Sequence, residues 1–105
     1  MANVTLINPF EISAEREQEF LEKWTKATEF LRTQPGFVSS ELHRSVETDA
    51  HFRFTNVAVW ESAEHFRAAI NSREFAKLAS TMPFPHYPAL YDIFLHAGKE
   101  EPRIC

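Results

Sequence analysis

The chain has 105 residues, 44% of them apolar and 25% charged, which is enough sequence for one domain with a single core. Its two glycines, Gly36 and Gly98, cannot build a P-loop or a glycine-rich dinucleotide fingerprint, and its one cysteine, Cys105, excludes an intrachain disulfide and a cysteine-based zinc site. A formal charge of −4 with scattered Lys and Arg argues against a nucleic-acid partner, and no apolar run approaches the roughly 20 residues that span a bilayer.

Residues 3–10 alternate as a strand, with Val4, Leu6, Asn8 and Phe10 on one face and Thr5 and Ile7 on the other. Pro9 lacks an N–H, so this strand is expected to end there or to run along an edge. Residues 14–33 carry Phe20, Trp24, Ala27 and Leu31 at helical spacing, with Ser13 in the N-cap position and Gln34-Pro35-Gly36 as the stop. Residues 37–46 and 52–60 read as two further strands joined by a polar connection, hence as an antiparallel hairpin. The second of these places Phe52, Phe54, Asn56, Ala58 and Trp60 on one face and Val57 and Val59 on the other. Ser62 caps a helix carrying Phe66, Ala69 and Ile70, and Ser72 starts a short one carrying Phe75 and Leu78. Residues 81–89 hold three of the six prolines and read as a stiff, ordered loop; 90–96 read as a last strand and 97–105 as a polar tail.

The order β-α-β-β-α-β is the ferredoxin-like split βαβ pattern, an α+β fold with both helices on one face of a four-stranded antiparallel sheet. One domain over 1–105 is expected, with its core at about 3–96. The other sheet face carries Ile7, Val57 and Val59, which a second copy packed sheet to sheet would cover, so a homodimer follows from the pattern. The residues before Arg16 include no Lys or Arg and do not read as a secretory signal; a cytoplasmic protein is expected, with no membrane partner.

The five histidines are dispersed and form no metal-ligand spacing. His86 stands apart, in an aromatic, proline-stiffened loop with Phe84 and Tyr87; it either lines a ligand pocket or bonds to backbone. Asn8 and Asn56 share faces with large apolar neighbours. A buried amide needs partners, so mid-strand Asn56 reads as a strand tie, while Asn8, beside Pro9, is equally well a ligand contact. Trp24 lies in an aromatic stripe that reads first as core, and Trp60 ends its strand where the sheet meets the next helix, a place for the aromatic wall of a cleft.

Asn8-Pro9-Phe10, Phe20-Leu21 with Trp24, Gln34-Pro35-Gly36-Phe37, Leu42-His43-Arg44-Ser45, and Trp60-Glu61-Ser62 with Phe66 and Phe75 together resemble the antibiotic biosynthesis monooxygenase domain over about residues 3–96. The resemblance implies a dimeric α+β barrel. It also implies a cofactor-independent monooxygenase that oxidises a small electron-rich aromatic, phenol or anthrone to quinone, with O2. Asn8 and Trp60 match positions at which members of the family carry site residues; the residues of this chain, not the resemblance, then offer His86, with Tyr87 or Tyr91 as alternatives, as the base, and Phe10, Trp24, Phe66, Tyr87 and Tyr91 as substrate contacts, with no cofactor and no metal. Two alternatives remain: a non-catalytic dimer binding a small apolar ligand, and a heme-binding or heme-degrading protein. Heme-degrading members of the family place a His near the position of Ala79, which this chain lacks.

Overall fold

The computed structural model describes residues 2–105. β1 (Val4–Phe10) leads through a short 3-10 turn (Ala14–Arg16) into α1 (Glu17–Leu31); β2 (Phe37–Arg44) and β3 (Phe54–Trp60) follow, then α2 (Ala63–Ile70), α3 (Arg73–Ala79) and β4 (Ala89–Tyr91). The sheet order β2-β3-β1-β4 is antiparallel throughout, the ferredoxin-like arrangement that the element order implies.

Strict alternation sorts the sheet. Leu6, Phe10, Phe54, Asn56, Ala58 and Trp60 are buried beneath the helices. Ile7, Val57 and Val59 occupy the opposite face, with Ile7 opposite Val57 and Thr5 opposite both Val59 and Tyr91. Two clusters form the core. Leu6, Ala58 and Trp60 meet Phe66 and Ala69 of α2. Phe10 and Phe54 meet Phe20 of α1, with Ile12 and Phe84.

Local chemistry sets the helix ends. α1 ends at Leu31, and the turn after it reaches β2 through Gly36, whose φ of +87° only glycine adopts without strain. The Ser62 hydroxyl accepts from the His65 N–H and the Ser72 hydroxyl from the Phe75 N–H, capping α2 and α3 as their sequence implies. Ser13 makes no side-chain cap, because a 3-10 turn precedes α1.

Three sequence expectations are revised. Pro9 lies one residue before the end of β1, an inner strand and not an edge. The Pro9 carbonyl accepts from the Tyr87 N–H, so its side of the backbone faces the 85–88 loop ahead of β4, where no ladder donor is required. The last strand is split: β4 ends at Tyr91, and β5 (Leu95–His96) pairs instead with β6 (Arg103–Ile104). The stretch read as a polar tail therefore folds back as a hairpin, its end fixed where the Cys105 N–H donates to the Phe94 carbonyl. The hairpin packs substantially only on itself and leaves Ile93, Phe94 and Ile104 exposed. The molecule is correspondingly flat, 43 × 35 × 17 Å, with a radius of gyration of 15.0 Å against about 13 Å for a compact chain of this length.

Candidate functional site

A cavity of about 230 Å³ lies between the helix-side face of the sheet and the helices. Leu6, Asn8 and Phe10 of β1 and Asn56 of β3 form its floor. Trp24, Ala27, Thr28 and Leu31 of α1 form one wall; Phe66 and Ile70 of α2 with Phe75 and Ala79 of α3 form the other. Met82, His86 and Pro88 line it from the loop. Among the described residues lining it, none is Asp, Glu, Lys or Arg. The walls suit a flat apolar ligand, and the polar groups are few, as in small-molecule sites generally.

The helical periodicity of α1 and the pleat of β1 account for the placement of Trp24, Phe10 and Asn8. The loop places His86 by anchoring its neighbours. Phe84 is buried edge-on against Phe20, with ring centroids 5.7 Å apart, under the Arg16 guanidinium at 4.4 Å. The Glu11 N–H donates to the Pro85 carbonyl at 3.0 Å, and the Phe10 backbone bridges to His86. His86 Nδ1 lies 2.9 Å from the Phe84 carbonyl oxygen. A carbonyl only accepts, so Nδ1 carries the proton and the neutral ring keeps its basic lone pair on Nε2. Both readings of His86 therefore hold: it lines the cavity and it bonds to backbone.

The two asparagines meet across the strands, Asn8 opposite Asn56. Ser40 of β2 donates its hydroxyl to Asn56 Oδ1 at 2.7 Å. Asn56 is thus a strand tie, as expected, but it also lines the cavity, which the sequence reading did not foresee. The signal was present in the register, since Asn8 and Asn56 stand at equivalent steps of two paired strands. Asn8 Oδ1 is buried and, among the described residues, is the one such side-chain atom without a partner.

Five predicted site residues come together here: Asn8, His86, Phe10, Trp24 and Phe66. Three do not. Trp60 is 1% exposed and lies behind the cavity, edge-on to both Phe37 and Phe66, so Phe66 forms the wall that Trp60 was expected to form. Tyr91 points to the opposite sheet face, because Leu90 takes the inward position opposite Leu6. Tyr87, one residue beyond His86, turns away from the cavity. Its hydroxyl donates to Glu11, which also lies 3.5 Å from His51 Nε2, and its ring meets Phe52 edge-on. The bond to the Glu11 carboxylate raises the Tyr87 pKa above its usual value, with burial adding to the effect.

A curated relative, tetracenomycin-F1 monooxygenase of Streptomyces glaucescens, is 35% identical over 65 residues; the match covers 61% of this chain and 55% of that protein. A candidate monooxygenase from Shewanella loihica PV-4 superposes with a TM-score of 0.76 at 35% identity, covering 88% of this chain and 94% of the other. SnoaB of Streptomyces nogalater, a cofactor-independent oxygenase, superposes with a TM-score of 0.75 at 28% identity, covering 88% and 93%. The family model for antibiotic biosynthesis monooxygenases matches residues 3–80, the span that builds three of the four sheet strands and every wall of the cavity except the loop, and the chain belongs to that family.

Proposed function

We propose that this protein is a cofactor-independent oxygenase that converts a small electron-rich phenol or anthrone to a quinone. The observation that carries the reading is the cavity: aromatic walls, a floor of two amides, and one imidazole whose free nitrogen is Nε2. His86 takes the phenol proton, and Asn56 Nδ2 donates to the oxygen where negative charge develops. The bound phenolate passes one electron to O2, and the resulting pair combines at a ring carbon. Loss of water leaves the new carbonyl, so one oxygen atom enters the substrate and the other departs as water. Trp24, Phe10 and Phe66 hold the ring and keep bulk water from the charged intermediate. The similarity to a cofactor-independent oxygenase and to a monooxygenase supports the reading. The resemblance puts the His of heme-degrading relatives near Ala79, on the cavity wall, where a methyl group cannot ligate iron.

The same reading includes a homodimer. Ile7, Val57, Val59 and Tyr91 form a partly exposed apolar sheet face, continuous in sequence with the exposed Ile93 and Phe94 of the hairpin arm. A second copy is the occupant that its flatness suits.

An oxygen electrode with a panel of naphthols and anthrones tests the activity. Consumption of one O2 per quinone formed, by protein free of flavin, heme and metal, is expected. Tight binding of the same compounds with no oxygen uptake would instead establish a non-catalytic ligand-binding protein.

A further inference from the structure

The cavity lies in a gap between the two core clusters. Leu6 and Phe66, with Leu31 and Ile70 packed on their cluster, border it from one side. Phe10, with Trp24 and Met82, borders it from the other. The paired asparagines stand between, because β1 carries Leu6, Asn8 and Phe10 in that order on its inward face. α1 runs alongside, with Trp24 at one end of the gap and Leu31 about 10 Å further along the helix.

The two ends differ. At the Leu6 end, Leu90 of β4 stands opposite Leu6 and packs on the same cluster. The lining residues there, Leu6, Leu31, Phe66 and Ile70, are apolar and none is exposed. At the other end the cavity opens. Its exposed lining residues are Ala79, His86 and Pro88, and a residue that both lines a cavity and meets water stands at the mouth. Pro88 and His86 lie just ahead of β4, with Ala89 opposite Ile7 and His86 opposite Phe10. The mouth is therefore level with Asn8 and Phe10, not with Leu6.

We propose that the closed end is a specificity pocket for the unreactive end of the substrate, with Ile70 limiting its length. With the hydroxyl between Asn56 and His86, the far ring of a fused aromatic points away from the mouth, into Leu6, Leu31, Phe66 and Ile70. The substrate class is then a fused phenol whose far end is bare or carries only alkyl groups. A charged or polar substituent stands beside the hydroxyl, where it reaches water through the mouth. The physical reason is desolvation. The closed end holds no donor and no cation to meet a carboxylate, and an unpaired buried charge costs far more than a buried ring gains. This deepens the proposed oxygenase and rests on that reading only for the seat of the hydroxyl.

Anaerobic calorimetry with two isomeric hydroxynaphthoates tests this. One carries its carboxylate meta to the hydroxyl on the same ring; the other carries it at the far end of the second ring. Charge and composition are identical, so position alone differs. The unmodified protein should bind the same-ring isomer at least about a hundredfold more tightly. Equal binding, the reverse order, failure of both isomers where plain naphthol binds, or failure of naphthol itself would overturn the proposal. Ile70→Ala removes as many carbons as a propyl group adds. A naphthol with a propyl group at its far end should therefore gain about tenfold on plain naphthol in that variant, relative to the unmodified protein. An unchanged ratio in the folded variant would overturn the role of Ile70, and the isomer pair decides alone if the variant does not fold. The expected isomer order without oxygen uptake would remove the oxygenase reading and leave the pocket standing. Oxygen uptake with both isomers alike would do the reverse.

Discussion

Asn8 and Asn56 make different predictions because they spend their hydrogen bonds differently. Asn8 Oδ1 has no bond to lose, so Asn8→Ala should leave the melting temperature near that of the parent and raise KM about tenfold on a confirmed substrate. Asn56→Ala removes the donor to the developing oxyanion, and turnover should fall about 10²–10³-fold. It also strands the Ser40 hydroxyl, and about 1 kcal/mol of lost stability in a domain this size lowers melting by 4–8 °C. An early-melting Asn8→Ala with full activity would make Asn8 a strand anchor and nothing more. Residue identity alone could not separate these two. Both are asparagines flanked by large apolar residues, and only the folded structure shows that one amide oxygen meets a serine hydroxyl while the other is buried without a partner. Trp60 shows the same limit from the other side. Its place at the end of β3 was legible, but its depth was not, because depth depends on where Phe66 settles.

At the scale of elements, punctuation was the most legible part. Gly36→Ala should be strongly destabilising: φ is +87°, and an added Cβ would sit 2.3 Å from His65 Cγ. Left-handed strain alone costs about 1–2 kcal/mol, so thermal melting should drop by at least about 5 °C. A parent-like melting curve would show that the turn relaxes freely. One ion-pair cluster ties elements distant in sequence. Arg53 of the β2–β3 connection and Arg44 of β2 both bond to Glu17 of α1, at 2.6 and 3.0 Å. The Arg53 hydrogen bond, ahead of the Arg44 contact, holds the Glu17 carboxyl below its usual range. A lowered carboxylate pKa contributes stability above the unfolded value and loses it as pH falls through the folded one. Glu17→Gln should therefore flatten the loss of stability on acidification below the ordinary carboxylate pKa, as read by melting temperature against pH. None of this was visible in sequence, since the partners lie 27 and 36 residues apart.

For the whole molecule, the proposed dimer is the decisive expectation. Light scattering should give a particle of twice the 12.2 kDa chain mass at micromolar concentration. Val57→Lys, which places a charge at the centre of the open sheet face, should shift it toward monomer or aggregate. A monomeric parent protein would leave Ile93, Phe94 and Ile104 without an occupant and would sink the dimer. The arm itself should depend on association, because a hairpin of two-residue strands is marginal alone. Hydrogen exchange at the Cys105 amide should slow as protein concentration rises.

Alternation and helical spacing by themselves determined which face of each strand meets the helices and the order of the elements, and hence the ferredoxin-like topology. These are local periodicities, and a two-residue or 3.6-residue repeat survives whatever the neighbours do. The placement of Asn8, Phe10, Trp24 and Phe66 around one space follows from that order. Tertiary structure alone decided the rest. The loop between α3 and β4 has no periodicity, so nothing in its sequence says that Phe84 plugs the core while His86 faces the cavity and Tyr87 faces away. β4 breaks off at Tyr91 because the chain leaves β1 there, a matter of sheet geometry and not of propensity. The contrast between the Asn56 oxygen, engaged by Ser40, and the buried, unpartnered oxygen of Asn8 is a relation among three strands, β2, β3 and β1, and it exists only once the sheet has set their register.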